Sequence, residues 1–161
     1  MIFIGRELAL FLLLILLQLS ISQPATACSQ GMTWGMDISA VEQQLGVSLE
    51  GIDKASEQKL FEAHDLQIGR LPVSRLRLHF AETKGLQHLA YELDPEAMTE
   101  VLAGLRHRYG PPVSTTLDDT ARGSKQQWIW HTGDDVITAI SSGNKPFLLA
   151  YRPCRLDPNL L

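Results

Sequence analysis

Neither charge sign dominates this chain of 161 residues. Lys and Arg together number 14 against 18 Asp and Glu, for a formal net charge of −4. No basic stripe gathers along any segment, which argues against nucleic acid as a partner, because phosphate backbones are bound by clustered Lys and Arg. Low-complexity tracts are missing, and beyond residue 27 no apolar run is long enough to span a bilayer. The usual catalytic signatures are missing too. There is no G-x-S-x-G elbow, no H-E-x-x-H and no glycine loop to cradle phosphate. Asp118-Asp119 and Asp134-Asp135 lack the spacing of a calcium loop and read as solvated turns. His64, His107 and His131 are scattered singly. No cofactor is expected.

The chain has 2 cysteines, Cys28 and Cys154. The first stands just after an address. Arg6 precedes an apolar run over 8–17, then a polar stretch with Pro24, then "ATAC" with Ala25 and Ala27 at the small-residue positions of a cleavage site. The expectation is a secretory signal over 1–27 and one exported domain over 28–161, periplasmic or secreted, with no transmembrane span in the mature part. Cys28 then has two fates. A disulfide to Cys154 suits an even cysteine count in an oxidising compartment. A lipid anchor on Cys28, as in an outer-membrane lipoprotein, is the alternative; Ala25 and Pro24 argue against it, because lipoprotein signals set a larger aliphatic residue three places before the cysteine.

The expected mature chain reads as one helix and three strands, twice. In "MDISAVEQQLG", Ile38, Val41 and Leu45 form one stripe, Asp37 is the N-cap and Gly46 the stop. In "DPEAMTEVLAGLRHRYGPP", Asp94 caps, Pro95 takes the first turn, and Met98, Val101, Leu102, Leu105 and Tyr109 make the apolar face; Gly110 and two prolines end it. Strands are expected over 58–63, 73–80 and 86–93 after the first helix, and over 126–131, 136–141 and 146–152 after the second. The segments "VSLEGIDKASE" and "VSTTLDDTARGS" are assigned to connections. The expected fold is α+β: tandem helix-plus-three-strand units making an antiparallel sheet of about six strands, with two helices on one face.

The opening "GMTWGMDISAVEQQLGVS" resembles the start of small envelope proteins of the SmpA/BamE type, through Gly31, Met32, Thr33, Val41, Leu45 and Gly46. Tandem helix-plus-sheet units are similar to the β-lactamase inhibitor protein superfamily, whose sheet clasps an enzyme. The resemblance implies an envelope protein that works by binding other proteins.

Strand alternation assigns the faces. On the first hairpin Leu76, Leu78 and Phe80 share a face with Leu89, Tyr91 and Leu93, and an even loop over 82–85 sets Arg75 opposite Glu92 and His79 opposite His88. The two imidazoles are a candidate metal site, although a structural ion wants four ligands and a catalytic one three. In the second block a two-residue turn at Gly133-Asp134 and another at Gly143-Asn144 place Ile129, Val136, Ile140, Phe147, Leu149 and Tyr151 on one face. The other face receives Trp128, Trp130, Ile137, Ala139, Leu148 and Ala150, with Arg152 at its edge. Both faces are apolar, so one of them needs a cover beyond a single layer of helices. Buried core and partner-facing patch are the competing explanations for the tryptophans. If a patch, its residues are Trp128, Trp130, Ile137, Leu148 and Arg152. The expected function is a non-enzymatic, exported protein that binds another envelope protein or inhibits an enzyme. A small-ligand or metal carrier is the alternative, with a hydrolase of unrecognised type behind it.

Overall fold

The computed structural model describes residues 29–52, 58–120 and 123–154; the expected leader and Cys28 lie outside them. Among the described residues, nine strands make one antiparallel sheet: β1 (Glu50–Gly51), β2 (Gln58–Ala63), β3 (Leu66–Ile68), β4 (Leu71–Ala81), β5 (Gly85–Leu93), β6 (Ser114–Thr120), β7 (Gly123–His131), β8 (Asp135–Ser142) and β9 (Phe147–Pro153). Their order is β1-β2-β4-β5-β9-β8-β7-β6, with β3 also on β4. The helices are short, α1 (Ile38–Leu45) and α2 (Met98–Tyr109).

The expectation of an α+β fold with about six strands is therefore overturned: the described residues are mostly sheet, and 22% of them are helical. The extra strands come from segments whose sequence carries no period. Seven-residue β6 lies in what reads as a connection. It sits at the sheet edge with Thr115, Thr116 and Leu117 exposed, so no apolar alternation marks it. β1 and β3 have 2 and 3 residues, too few for any periodicity to register.

The helix ends follow their capping residues. The Asp37 carboxylate accepts from the Ala40 N–H at 2.8 Å, and Gly46, at φ 70°, closes α1 by donating to Glu42 O. Asp94 accepts from the Glu96 N–H at 2.8 Å and starts a one-turn 3-10 segment, Pro95–Ala97, that runs into α2. Both helices contribute to one core. Val41 from α1 and Val101, Leu102 and Leu105 from α2 cluster with Leu76, Leu78, Leu89, Tyr91, Phe147, Leu149, Tyr151, Trp128 and Trp130.

Strand β9 carries the main correction to the face assignment. It pairs with β8 through Ile137↔Tyr151, Ala139↔Leu149 and Ile140↔Leu148. This register needs a loop of odd length, Gly143 to Lys145, closed by the Lys145 N–H on Ser142 O at 3.0 Å. The sequence suggests a two-residue turn instead. One residue more in the loop turns the whole of β9 over. Phe147, Leu149 and Tyr151 then join the tryptophans inside, and the smaller Leu148 and Ala150 go to the outer face. The inner arrangement buries more area: a large aromatic side chain covers about 150–250 Å², worth roughly 5 kcal/mol at about 25 cal/mol per Å² before entropy is counted.

On the first hairpin Arg75↔Glu92 and His79↔His88 pair, and the register slips by one between His79 and Phe80 so that Ala81 meets Gly85. The reason lies in the segment before α1. Gly35 N–H donates to Leu86 O at 3.0 Å and Leu86 N–H to Met36 O at 2.8 Å, laying that segment across the start of β5. Gly85 takes φ 61°, and a Cβ there would lie 2.2 Å from Gly35 O. Backbone, not a movable side chain, occupies the space.

Cys154 is half-buried and forms no disulfide with another described residue; the expected partner Cys28 falls outside them.

Gly85→Ala is expected to cost at least about 3 kcal/mol, because clash and left-handed strain add. Gly143→Ala, at φ 54° with nothing within 4 Å, should cost only about 1 kcal/mol. Urea denaturation of both variants checks the contrast, and equal losses would contradict it.

Candidate functional site

Alternation leaves a second surface on the side of the sheet away from the core. Its residues lie in rows across the strands. In one row His79 faces His88, and Arg152 on β9 stands one step past the last β5–β9 pair, followed by Val136 and His131. The next row runs Glu62, Arg77, Ala90, Ala150, Thr138 and Ile129. The third runs Arg75, Glu92, Leu148, Ile140 and Gln127. Ala90 and Val136 are buried, yet both stand outside the core cluster. They are covered by their neighbours on the outer face, where Ile129, Ile140, Leu148 and Ala150 are half-buried. The centre of this face is apolar and its β4–β5 side is charged.

The charged side is a chain of ion pairs. Arg77 meets Glu92 at 2.9 Å, Arg75 lies 3.5 Å from Glu62 and 3.8 Å from Glu92, and His64 is 3.5 Å from Glu62. Pairs this exposed add little stability singly. The Arg77–Glu92 pair does hold both side chains at the rim of a shallow hollow of about 380 Å³, lined also by Ile140, Leu148 and Pro146.

His79 and His88 come into register, as the hairpin pairing required, but they do not assemble a metal centre. Among the described residues no three His, Cys, Asp or Glu side chains converge. The next group in the row is the Arg152 guanidinium, which repels a cation. The same crowding acts on the imidazole. Burial, then His79, then Arg152 push the His88 pKa below its ordinary 6.5. His79 Nε2 is itself buried without a hydrogen-bond partner.

The five residues of the partner-binding expectation divide between the two faces. Trp128 is 4% exposed, Trp130 1% and Ile137 0%. They lie in the core and cannot meet a partner directly. Trp130 instead donates its indole N–H to Gly110 O at 2.9 Å, tying the end of α2 to β7. Leu148 and Arg152 do lie on the outer face, half-buried and exposed respectively. Ile129, Ile140, Arg77 and Glu92 join them there. The signal that would have found this set is volume: the largest aromatics of β7 and β9 pack together only if the β8–β9 loop is odd.

One acidic turn residue also proves to be structural. Asp135 is 5% exposed and accepts the indole N–H of Trp34 at 2.6 Å, while the Asp135 N–H donates to Thr132 Oγ1 at 2.8 Å. Asp118 and Asp119 are exposed, but they lie within strand β6, opposite Lys125 and Ser124 on β7, and not in the turn expected from the sequence.

Two variants test these assignments. Because folding lowers the His88 pKa, the native state binds fewer protons than the unfolded chain below pH 6.5. Stability from this group is complete above that value and falls as pH drops through it. His88→Gln should therefore lose less stability than wild type between about pH 7.5 and about pH 5.5 in urea melts; an equal loss would contradict the assignment. Trp34→Phe, which strips a hydrogen bond from a buried carboxylate, should cost about 1.5–3 kcal/mol by the same measurement.

No protein-family model matches this chain, and no curated protein matches it. Among solved structures, that of a DUF4309 family protein (YjgB) from Bacillus subtilis subsp. subtilis str. 168 is similar at a TM-score of 0.44 and 10% identity, over 72% of this chain and 77% of that one. A likeness of that degree carries no argument about this chain.

Proposed function

We propose that this chain is an exported, periplasmic, non-enzymatic protein that binds another envelope protein or inhibits an enzyme, using the outer face of its sheet. The export part rests on the leader-like first 27 residues. The binding part rests on one observation: an apolar stripe, Ile129, Val136, Ile140, Leu148 and Ala150, lies on the face opposite the core and next to paired Arg and Glu side chains. An apolar centre with an arginine-bearing rim is the composition of a recognition surface.

Ile140 and Leu148 pair directly across β8 and β9. Ile140→Asp/Leu148→Asp should abolish retention of the partner in a pull-down from periplasmic extract. Because both positions are half-buried on an open face, the expected stability change stays near about 1–2 kcal/mol. A folded double variant that retains the same proteins as wild type would remove the outer face from the proposal.

A further inference from the structure

Helix α2 buries Val101, Leu102 and Leu105 against the sheet and leaves Glu100, Ala103, Gly104, Arg106, His107 and Arg108 exposed. Gly104 is the anomaly among them. A glycine inside a helix costs about 1 kcal/mol relative to alanine. Most of the described glycines take a positive φ that favours glycine, as Gly85 does, and Gly133, which does not, sits in the β7–β8 turn rather than inside a helix. Gly104 has no such need: the residue lies outside the positive-φ set, and a Cβ built there would meet nothing within 4 Å. Nothing within the described fold calls for the missing side chain. Its absence opens one wall of a groove of about 310 Å³ between α2 and the start of β4, floored by Ile68, Leu71 and Leu149.

The charges around this gap have a symmetry of their own. Glu100 lies four residues before Gly104 and Arg108 four residues after it, on one helix stripe, and both line the same groove. The first half of the helical segment is acidic, with Glu96 and Glu100; the last turn is basic, with Arg106, His107 and Arg108. Turned through a two-fold axis at Gly104, the stripe complements itself. Glu100 of each copy meets Arg108 of the other, and the two helix dipoles oppose. Arg70, 3.1 Å from Glu100 and highly exposed, adds a second cation at each end of the contact. Arg108 lies over its own Tyr109 ring, 5.3 Å from the centroid, which restrains the guanidinium.

We propose that two copies of this chain dock through α2, antiparallel, with Gly104 at the crossing point and Glu100–Arg108 pairs at both ends. Glycine at the crossing lets the two backbones approach, and each helix enters the other's groove. A second copy is the occupant because it carries this same stripe with the required charges in the required order. The proposal is independent of the outer-face reading, since α2 packs on the opposite side of the sheet.

Sedimentation velocity of the chain, purified as its host cell processes it, tests this over a series from about 1 to about 500 µM. Wild type should pass from monomer to dimer, and added salt at about 0.5 M should weaken the dimer. Gly104→Leu should stay monomeric throughout while melting at or above the wild-type temperature, since leucine is the better helix former. Glu100→Arg and Arg108→Glu should each weaken dimerisation at least tenfold, and the double exchange should restore it. A wild type that stays monomeric at every concentration overturns the proposal. So does a Gly104→Leu dimer, or a double exchange no tighter than the single variants.

Discussion

The junction of β5 with β9 is the contact on which the rest of the molecule depends. It is where the strands that follow α1 meet those that follow α2, through Leu89↔Tyr151, Tyr91↔Leu149 and Leu93↔Phe147. These six side chains are at most 5% exposed, and the Tyr91 and Tyr151 rings meet edge to face at 6.2 Å. Each strand is the last of its own block, so the two blocks join antiparallel along their closing strands and a single sheet results. Once the parity of that ladder is set, every residue of β8, β9 and β5 is committed to the core or to the outer face. A one-residue slip would exchange them all.

From that junction the sheet runs outward to edges of different character. On one side β1 is only two residues long, a brief and therefore protected edge. On the other, β6 presents seven residues, with Leu117 and the preceding Val113 among the exposed large hydrophobics. The interior is closed by three polar ties, each joining segments well separated in sequence: Gly35 and Met36 on Leu86, Trp34 on Asp135, and Trp130 on Gly110. A neutral bond among them is worth about 1 kcal/mol net, and the bond to the Asp135 carboxylate about 1.5–3 kcal/mol. Their larger effect is geometrical, because they decide where the segment before α1 and the end of α2 lie on the sheet. Burial of the aromatic side chains supplies the free energy, and the hydrogen bonds choose among the packings that burial would permit.

Two surfaces remain outside this interior, and their chemistry differs. The outer sheet face is apolar at its centre, where β7, β8 and β9 show their smaller side chains, and charged where β4 and β5 show Arg75, Arg77 and Glu92. The outward stripe of α2 has small residues at its centre and opposite charges at its ends. A sheet face of the first kind offers area to a partner of any shape. A helix stripe of the second kind offers register to a partner of one specific charge order, and a second copy satisfies it.

Much of the local structure was legible in the sequence. Helix caps at Asp37 and Asp94 and stops at Gly46 and Gly110 rest on hydrogen bonds within a few residues, so the chain carries the full information locally. The pairing of Arg75 with Glu92 and of His79 with His88 followed from alternation on one hairpin. Of the outer face, Leu148 and Arg152 were named as patch residues but placed on the side of the tryptophans, and Ile129, Val136 and Ile140 on the other side. What the sequence could not determine was whether Trp128, Trp130 and Ile137 face the core with Phe147 and Tyr151 or away from them. That turned on a single residue in the Gly143-to-Lys145 loop, and both loop lengths suit the residues present. Only the tertiary structure decided it, because the deciding quantity is the aromatic area buried jointly by β5, β7 and β9, strands distant in the chain whose contact no local pattern encodes.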